Sequence, residues 1–354
     1  MTIFRKTLPK KYRLKNNKKT GDILKGIAIV AVLINHYIDR YISVYGGGIA
    51  NVMVSIFFIL SGYGIAISLE KKLKNNFSVK KTLFFYIDRI LRIFPLFWIA
   101  LLIQSLVTDR SFSISSFLGY ELPGHYWFIS AILQCYIFSI LLFYLIKVNK
   151  YIALLFVTFI IAFSQFLGSK RFSFDSILMF FHLAESPYLD IYFIHTYLFF
   201  CGMLIQYFNF SVFINRKIIS FFLKHYRFIL ILLFFIAIFY TFLEKYLLGS
   251  LPIVGSLILF FIACSFALNI KATSERNIFK ILEFLGYHSF SIYLFHMSYY
   301  FVLEEIGIIE KNSTQSIVAT IILLPVFILI SSFLEILVSF ISRKLRRQII
   351  QFID

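Results

Sequence analysis

The chain has 354 residues, of which 60% are hydrophobic and 20% aromatic, and its mean hydropathy is +0.85. Soluble domains are about 45–50% apolar, so this composition excludes an ordinary soluble domain and indicates a polytopic membrane protein. The net charge of +18 does not indicate a nucleic acid partner, because almost every long segment is apolar and leaves no soluble face for a basic patch. Membrane orientation explains the charge better.

Apolar runs long enough to cross about 30 Å of hydrocarbon predict ten transmembrane helices. They span residues 23–44, 50–69, 84–107, 127–146, 151–168, 187–208, 228–247, 252–270, 281–303 and 316–342. With a cytosolic N-terminus, the outer side holds few basic residues, namely Arg40, Arg110, Lys170, Arg171, Lys245 and Lys311. The positive-inside rule therefore predicts an all-α, multi-pass protein of the cell membrane with both termini in the cytosol.

The domain organisation that follows is simple. Residues 1–22 form a basic cytosolic tail that anionic membrane lipid would attract, 23–342 form one transmembrane domain, and 343–354 form a second basic cytosolic tail. Cys135, Cys201 and Cys264 all lie within apolar runs, where a thiol behaves as a small hydrophobe. We therefore expect neither a disulfide framework nor a metal or redox site.

The first predicted helix carries the first candidate site residues. Lys25 and His36 lie eleven residues apart, which places them on one helical face and roughly 16 Å apart along the axis. An ionisable side chain inside an apolar helix usually faces a partner or a wet cavity, so His36 is a candidate general base. Asp39, one turn further, either holds the His36 imidazole in one tautomer or is a solvated loop residue.

Ser61 and Gly62 in the second helix lack the first glycine of a G-x-S-x-G nucleophile elbow, so close helix packing explains them better. Arg89 and Arg92 lie one turn apart at the cytosolic start of the third helix. They either snorkel to the interface or form a fork for phosphate. Because Lys25 is predicted at the same depth, three cations there favour an anionic cytosolic ligand, such as a nucleotide-containing acyl carrier.

Two later helices add candidates. Trp127 begins the fourth helix, after His125 and Tyr126, and fits an aromatic belt at the outer interface. Ser130 and Gln134 form a polar pair one turn apart, of the kind that often joins helices.

In the ninth predicted helix, Ser289, Tyr293 and His296 share one face. His296 is predicted at a depth similar to that of His36, and His195 enters the sixth helix from outside and would reach the same level. Two or three histidines at one depth favour a functional role over simple packing.

Several of these segments, in this order, resemble the membrane acyltransferase-3 family. They are Lys25 through His36, F-F-I-L-S-G-Y, R-I-L-R-I-F-P, W-F-I-S and S-F-S-I-Y-L-F-H. In this resemblance His36 matches the family's essential histidine, Arg89 and Arg92 match its R-x-x-R pair, and Ser61-Gly62 match its S-G.

The chain also departs from the family pattern at two positions. Lys25 stands where the family usually has arginine, which keeps the charge but loses the bidentate fork. Many relatives carry a glutamate where this chain has Ile132, so the role of that glutamate is either absent here or moved, for instance to Gln134.

The resemblance implies transfer of an acyl group, usually acetyl, from cytosolic acetyl-CoA to a hydroxyl of an extracellular or lipid-linked glycan. Acyl-CoA is then a co-substrate, and no tightly bound cofactor or metal is implied. We expect Lys25, Arg89 and Arg92 to hold the acyl-CoA phosphates. His36, supported by Asp39 or His296, acts as general base or briefly carries the acyl group.

Some relatives carry an extra soluble hydrolase-like domain, which we do not expect in this chain. The rival interpretation is a transporter or flippase for a glycan precursor, since intramembrane His and Arg suit either class. The sequence does not specify an oligomeric state.

Overall fold

The computed structural model describes residues 18–42, 48–73, 78–119, 122, 124–169, 189–207 and 277–353. This part of the chain is 90% helical and has no strand, which confirms the all-α class. The helices are, in chain order, α1 (Lys18–Tyr41), α2 (Gly48–Leu73), α3 (Val79–Thr108), the short α4 (Ile114–Phe117), a 3₁₀ turn (Gly124–Tyr126), α5 (Trp127–Val148), α6 (Lys150–Ser169), α7 (Leu189–Ile205), α8 (Asn277–Tyr287), α9 (Ser289–Glu305) and α10 (Thr314–Ile353).

Within the described residues, five helices are long and apolar enough to cross a membrane. They are Lys18–Tyr41, Met53–Leu73, Val79–Thr108, Gly124–Val148 and Thr314–Gln351. The predicted helices at 228–247 and 252–270 lie outside the described residues. The count of ten helices and the orientation of the termini therefore stay predictions.

The predicted ninth helix, 281–303, is wrong as a single element. The chain bends at His288 (φ −97°, ψ 13°), and α8 and α9 lie on either side of the bend. Two local features favour this bend: Gly286 packs directly against the backbone of α1 at Asp22, and the Ser289 hydroxyl donates to the Gly286 carbonyl at 2.9 Å. A serine hydroxyl that bonds back to the preceding turn commonly bends a helix.

The last helix is longer than predicted. Forty residues of α10 span roughly 60 Å at 1.5 Å per residue, which is about twice the hydrocarbon thickness. The helix therefore continues through residues 343–353, which the sequence analysis assigned to a basic tail. Pro325 lies inside α10, as membrane helices permit where neighbours satisfy the freed carbonyl.

Small residues set the closest helix contacts. A Cβ on Gly62 of α2 would collide with the Phe199 carbonyl of α7, and one on Gly202 would collide with the Ile59 carbonyl of α2. Paired glycines of this kind allow membrane helices to approach backbone to backbone. The contact at Gly62 gives the S-G motif a packing role.

The remaining contacts place α9 at the centre of the described bundle. It packs against α1, α3 and α10, while α1 also packs closely against α2 and α8. Residues of α9 are buried along nearly its whole length. The side chains that α9 carries inward therefore meet those of α1 and of the 3₁₀ turn.

Candidate active site

Three histidine side chains meet where α1, α9 and the 3₁₀ turn converge, and we call His36, His125 and His296 the histidine cluster. The His36 and His296 ring centroids are 4.9 Å apart, and those of His125 and His296 are 6.3 Å apart. His296 is fully buried, whereas His36 and His125 are half-buried. The structure thus brings together the two histidines that the sequence predicted at one depth.

The tautomer of neutral His296 follows from its hydrogen bond. Its Nδ1 lies 2.5 Å from the Tyr293 carbonyl oxygen, and a carbonyl only accepts, so Nδ1 carries the proton. Neutral His296 then has its lone pair on Nε2, which is buried and has no hydrogen-bond partner among the described residues. A buried acceptor without a partner is costly, and a catalytic role is one of the explanations for such a group. The cluster therefore contains a nitrogen free to accept a proton.

His125 is the member that the sequence analysis missed. Its Nε2 lies 3.0 Å from Oε1 of Gln104, a buried amide on α3, and its carbonyl accepts a hydrogen bond from the Tyr293 hydroxyl. The sequence analysis placed His125 in an interfacial belt and expected His195 as the third histidine. The side chain of His195 lies outside the described part of the chain. The sequence position of His125 could have indicated this role, because His125 precedes a helix that is predicted to start at the outer side, near the predicted depth of His36.

Two further tyrosines fix the helices around the cluster. The Tyr126 hydroxyl donates to the Leu294 carbonyl of α9 at 3.0 Å, and the Tyr300 hydroxyl donates to the Leu33 carbonyl of α1 at 2.9 Å. Both tyrosines are buried. Because each bond joins two elements, the positions of α1, α9 and the 3₁₀ turn are coupled around the three rings.

Asp39 lies on the exposed side of α1, one turn beyond His36. Its Oδ2 accepts a hydrogen bond of 2.5 Å from the buried Asn35 amide. The carboxylate therefore has a defined orientation at the edge of the cluster. This placement is compatible with both predicted roles of Asp39, orienting His36 and acting as a solvated residue.

Beyond Asp39, a polar contact joins α1 and α9. Glu304 accepts hydrogen bonds from Arg40 Nη2 at 2.9 Å and from the Tyr41 hydroxyl at 2.9 Å. The Arg40 guanidinium also lies 4.5 Å from the Phe301 ring centroid. These contacts hold the outer ends of the two helices together.

Cations lie at the opposite end of the bundle, where α1 and α3 begin and α2 and α10 end, and we call this the basic end. Lys25 pairs with Asp22 at 2.7 Å, with the Asp22 side chain 7% exposed. Asp88 accepts from both Lys72 and Arg346. Asp22 therefore balances the charge of Lys25, whereas Lys72 and Arg346 share the single charge of Asp88.

Arg89 differs from its neighbours at the basic end. Its Nη2 lies 3.4 Å from the Ser68 hydroxyl, and its guanidinium carbon lies 5.3 Å from the Phe85 ring centroid and 5.9 Å from that of Tyr136. Its Nε is buried without a hydrogen-bond partner, and no described carboxylate forms an ion pair with it. Arg92, in contrast, is exposed.

The other motif residues have mainly packing contacts. Ser61 and Gln134 are half-buried, Trp127 stacks against Phe58 with centroids 6.1 Å apart, and the Ser130 hydroxyl donates to the Gly119 carbonyl at 2.5 Å. Within the described residues, no group of three or more His, Cys, Asp or Glu side chains has an arrangement that suits a metal ion.

Comparison with curated proteins and with solved structures gives no match. Residues 21–336 match the acyltransferase-3 family, described as an acyltransferase domain. The match covers nearly the whole chain and includes the histidine cluster and, at the basic end, Lys25 and Arg89. With the apolar helices described above, the chain therefore belongs to the acyltransferase-3 family and is a membrane acyltransferase.

Proposed function

We propose that this acyltransferase moves an acyl group, most simply acetyl, from cytosolic acyl-CoA to a hydroxyl of a glycan at the outer face of the cell membrane. The observation that carries the proposal is the contact between His36 and His296. It places a half-buried imidazole beside a fully buried one whose Nε2 has no partner.

His36 is the better candidate for the base that touches substrate. It is half-buried, whereas His296 has no exposed surface, and a base must lie within hydrogen-bonding reach of the hydroxyl that it deprotonates. His296 then supports His36 through ring contact. A neutral His296 at 4.9 Å does not repel the positive charge that His36 gains when it accepts a proton.

The reaction follows from these positions. His36 accepts the proton of the acceptor hydroxyl as that oxygen attacks the thioester carbonyl, and the carbon–sulfur bond then breaks. The CoA thiolate leaves and takes up the proton that the imidazolium gives back, so the products are an ester and CoA thiol. In the alternative that the sequence leaves open, the His36 nitrogen attacks the thioester first and the acyl group passes from it to the hydroxyl.

Arg89 is the residue best suited to bind the phosphates of acyl-CoA. Its charge lies against a hydroxyl and two aromatic rings, so an incoming phosphate would supply the missing anion. Arg92 is exposed on the same helix and is a second contact for the same ligand. Lys25 contributes less, because Asp22 already pairs with it.

Labelling of a glycan with radioactive acetyl-CoA tests the proposal. Inverted membrane vesicles containing the protein receive labelled acetyl-CoA on the former cytosolic face, with lipid-linked glycan in the lipid. We expect alkali-labile label on the glycan, and none with His36→Gln at equal protein level. A transporter would instead move unlabelled glycan across the membrane. If glycan crosses without label with both the wild-type protein and His36→Gln, the proposal is wrong.

The two-sided reaction also requires the predicted orientation. Cysteines introduced at Lys18 and Arg347 should be shielded from an impermeant thiol reagent in intact cells, while those at Ser115 and Asn312 should react. Labelling of Lys18→Cys from outside would invert the topology and place the basic end on the wrong face for cytosolic acyl-CoA.

A further inference from the structure

Glu335 is a charged residue within the apolar part of α10. No other Asp, Glu, Lys or Arg occurs between Thr314 and Arg343, and its side chain is only 21% exposed. An ionisable residue within a membrane helix is expensive, so it usually has a defined partner and a function. Neither the family motifs nor the proposed chemistry uses this carboxylate.

The partners of Glu335 lie at the bend before α9. Its Oε2 is 2.8 Å from His288 Nδ1 and 3.0 Å from the Ser291 hydroxyl, and the His288 side chain is 5% exposed. An ionised carboxylate only accepts, so both partners donate to it. The single Ser291 proton is shared with the His288 carbonyl at 2.9 Å.

These bonds act on the helix that carries His296. Eight residues separate His288 from His296, or roughly 12 Å along a helix. A bend leaves the first turn of the next helix with fewer backbone restraints than a continuous helix has. The carboxylate therefore adds a restraint from α10 at the first turn of α9.

Other contacts between α9 and α10 lie further out along the helix. The Tyr299 hydroxyl donates to the Thr320 carbonyl at 2.8 Å, and the Tyr299 ring stacks on Phe327 with centroids 4.6 Å apart. These contacts join α10 to the second half of α9, whereas Glu335 joins α10 to its first turn. The two restraints lie on either side of His296.

We propose that Glu335 is a positioning residue for acyl transfer: by binding His288 and Ser291 it fixes the first turn of α9 and so places His296 against His36. It touches neither substrate and acts through α9. The structural part of this proposal is independent of the reaction, and its kinetic part rests on the proposed function.

The structural test follows the histidine side chains directly. The chain has seven histidines, so protein labelled with ¹³C at histidine Cε1 gives seven signals, which single substitutions assign. In Glu335→Leu we expect the His36 and His296 signals to move together with that of His288. In Glu335→Gln, which keeps an oxygen acceptor, they should stay closer to wild type.

The matched control is Ser331→Ala, one turn earlier on α10, because the Ser331 hydroxyl donates only to the Ile328 carbonyl of its own helix. It should move none of the cluster signals. If Glu335→Leu shifts His288 alone in folded protein, or if Gln and Leu act alike, the positioning role is wrong.

The kinetic test uses acetyl-CoA and a panel of methyl glycosides, with release of CoA thiol as the signal. Glu335→Leu should lower kcat about tenfold to a hundredfold, as small misplacement of a catalytic group does, with KM for acetyl-CoA near wild type. Unchanged kcat despite shifted His36 and His296 signals would overturn the kinetic part. If the wild-type protein transfers no acyl group, the proposed function is wrong. The histidine ¹³C signals then still test whether Glu335 positions α9.

Discussion

The histidine cluster and the basic end of the bundle satisfy their polar groups in opposite ways. At the basic end, carboxylates from the same or a neighbouring helix pair with Lys25, Lys72 and Arg346. In the histidine cluster, ring nitrogens face neutral oxygens, the Tyr293 carbonyl and the Gln104 amide. Neutral partners leave an imidazole able to gain or lose a proton, whereas a carboxylate would hold it as a cation.

The difference separates structural from reactive groups. An ion pair closed within the protein joins helices and offers little to a ligand, because breaking it costs free energy. Groups that depart from this pattern are the ones to test. They are the unpartnered Nε2 of His296, the half-buried His36 beside it, and Arg89, whose charge lies against aromatic rings.

The largest effect is expected at His36. His36→Gln should lower acyl transfer by at least about two orders of magnitude, because general-base catalysis typically contributes about 10²–10⁴ in rate. Expression and acetyl-CoA affinity should stay near wild type, since the amide has a similar size. Initial rates of CoA thiol release and equilibrium binding measure the two quantities separately.

The same measurements on His296→Gln identify the base. His296→Gln removes the ring contact that places His36, so it should lower transfer about tenfold to a hundredfold, which is less than the loss expected for His36→Gln. If His296→Gln is inactive while His36→Gln keeps most of its activity, the roles of the two histidines are reversed.

The helices and the similar depth of His36 and His296 could be predicted from the sequence, for a physical reason, whereas the ion pairs at the basic end could not. Apolar runs report transfer free energies that depend on each segment alone, so the helix predicted at 84–107 is found at Val79–Thr108, with its end within one residue and its start five residues earlier. Counting residues from the predicted start of each helix likewise predicted that His36 and His296 lie at a similar depth. The bend at His288 and the pairing with Glu335 depend on contacts between helices far apart in the chain, which no local pattern contains.

A smaller effect is expected at Arg89. Arg89→Lys should weaken acetyl-CoA binding about tenfold, because lysine keeps the charge but loses the planar set of donors, and 1.4 kcal/mol corresponds to a factor of ten. Arg92→Lys, at an exposed position, should weaken binding less. Titration of the purified protein with acetyl-CoA measures both affinities. Equal affinities for wild type and Arg89→Lys would reduce Arg89 to an interfacial snorkelling residue.

A substitution at Asp39 tests which of its two predicted roles is correct, and the expected change in the rate of acyl transfer is modest. Asp39→Asn keeps an oxygen that can accept from the Asn35 amide but removes the negative charge one turn from His36. If Asp39 orients His36, transfer should fall about fivefold or less, since an exposed charge pair contributes at most about 1 kcal/mol. The rate of acyl transfer with acetyl-CoA affinity as control gives the answer, and a full wild-type rate would make Asp39 a solvated residue.

The smallest effect on acetyl-CoA affinity is expected when both members of the Lys25–Asp22 pair are removed. This change tests the comparison between the two regions most directly. Removing Lys25 alone would leave a carboxylate that is 7% exposed without its partner, which typically costs about 3–5 kcal/mol, so Lys25→Gln should lower the unfolding temperature. The double variant Asp22→Asn/Lys25→Gln removes both charges and should recover most of that stability. Its acetyl-CoA affinity should stay within about twofold of wild type, since a pair closed within the protein contributes little net charge to a ligand. A tenfold loss of affinity in the stable double variant would mean that Lys25 leaves Asp22 to bind phosphate, and that pairing at the basic end does not distinguish structural cations from binding ones.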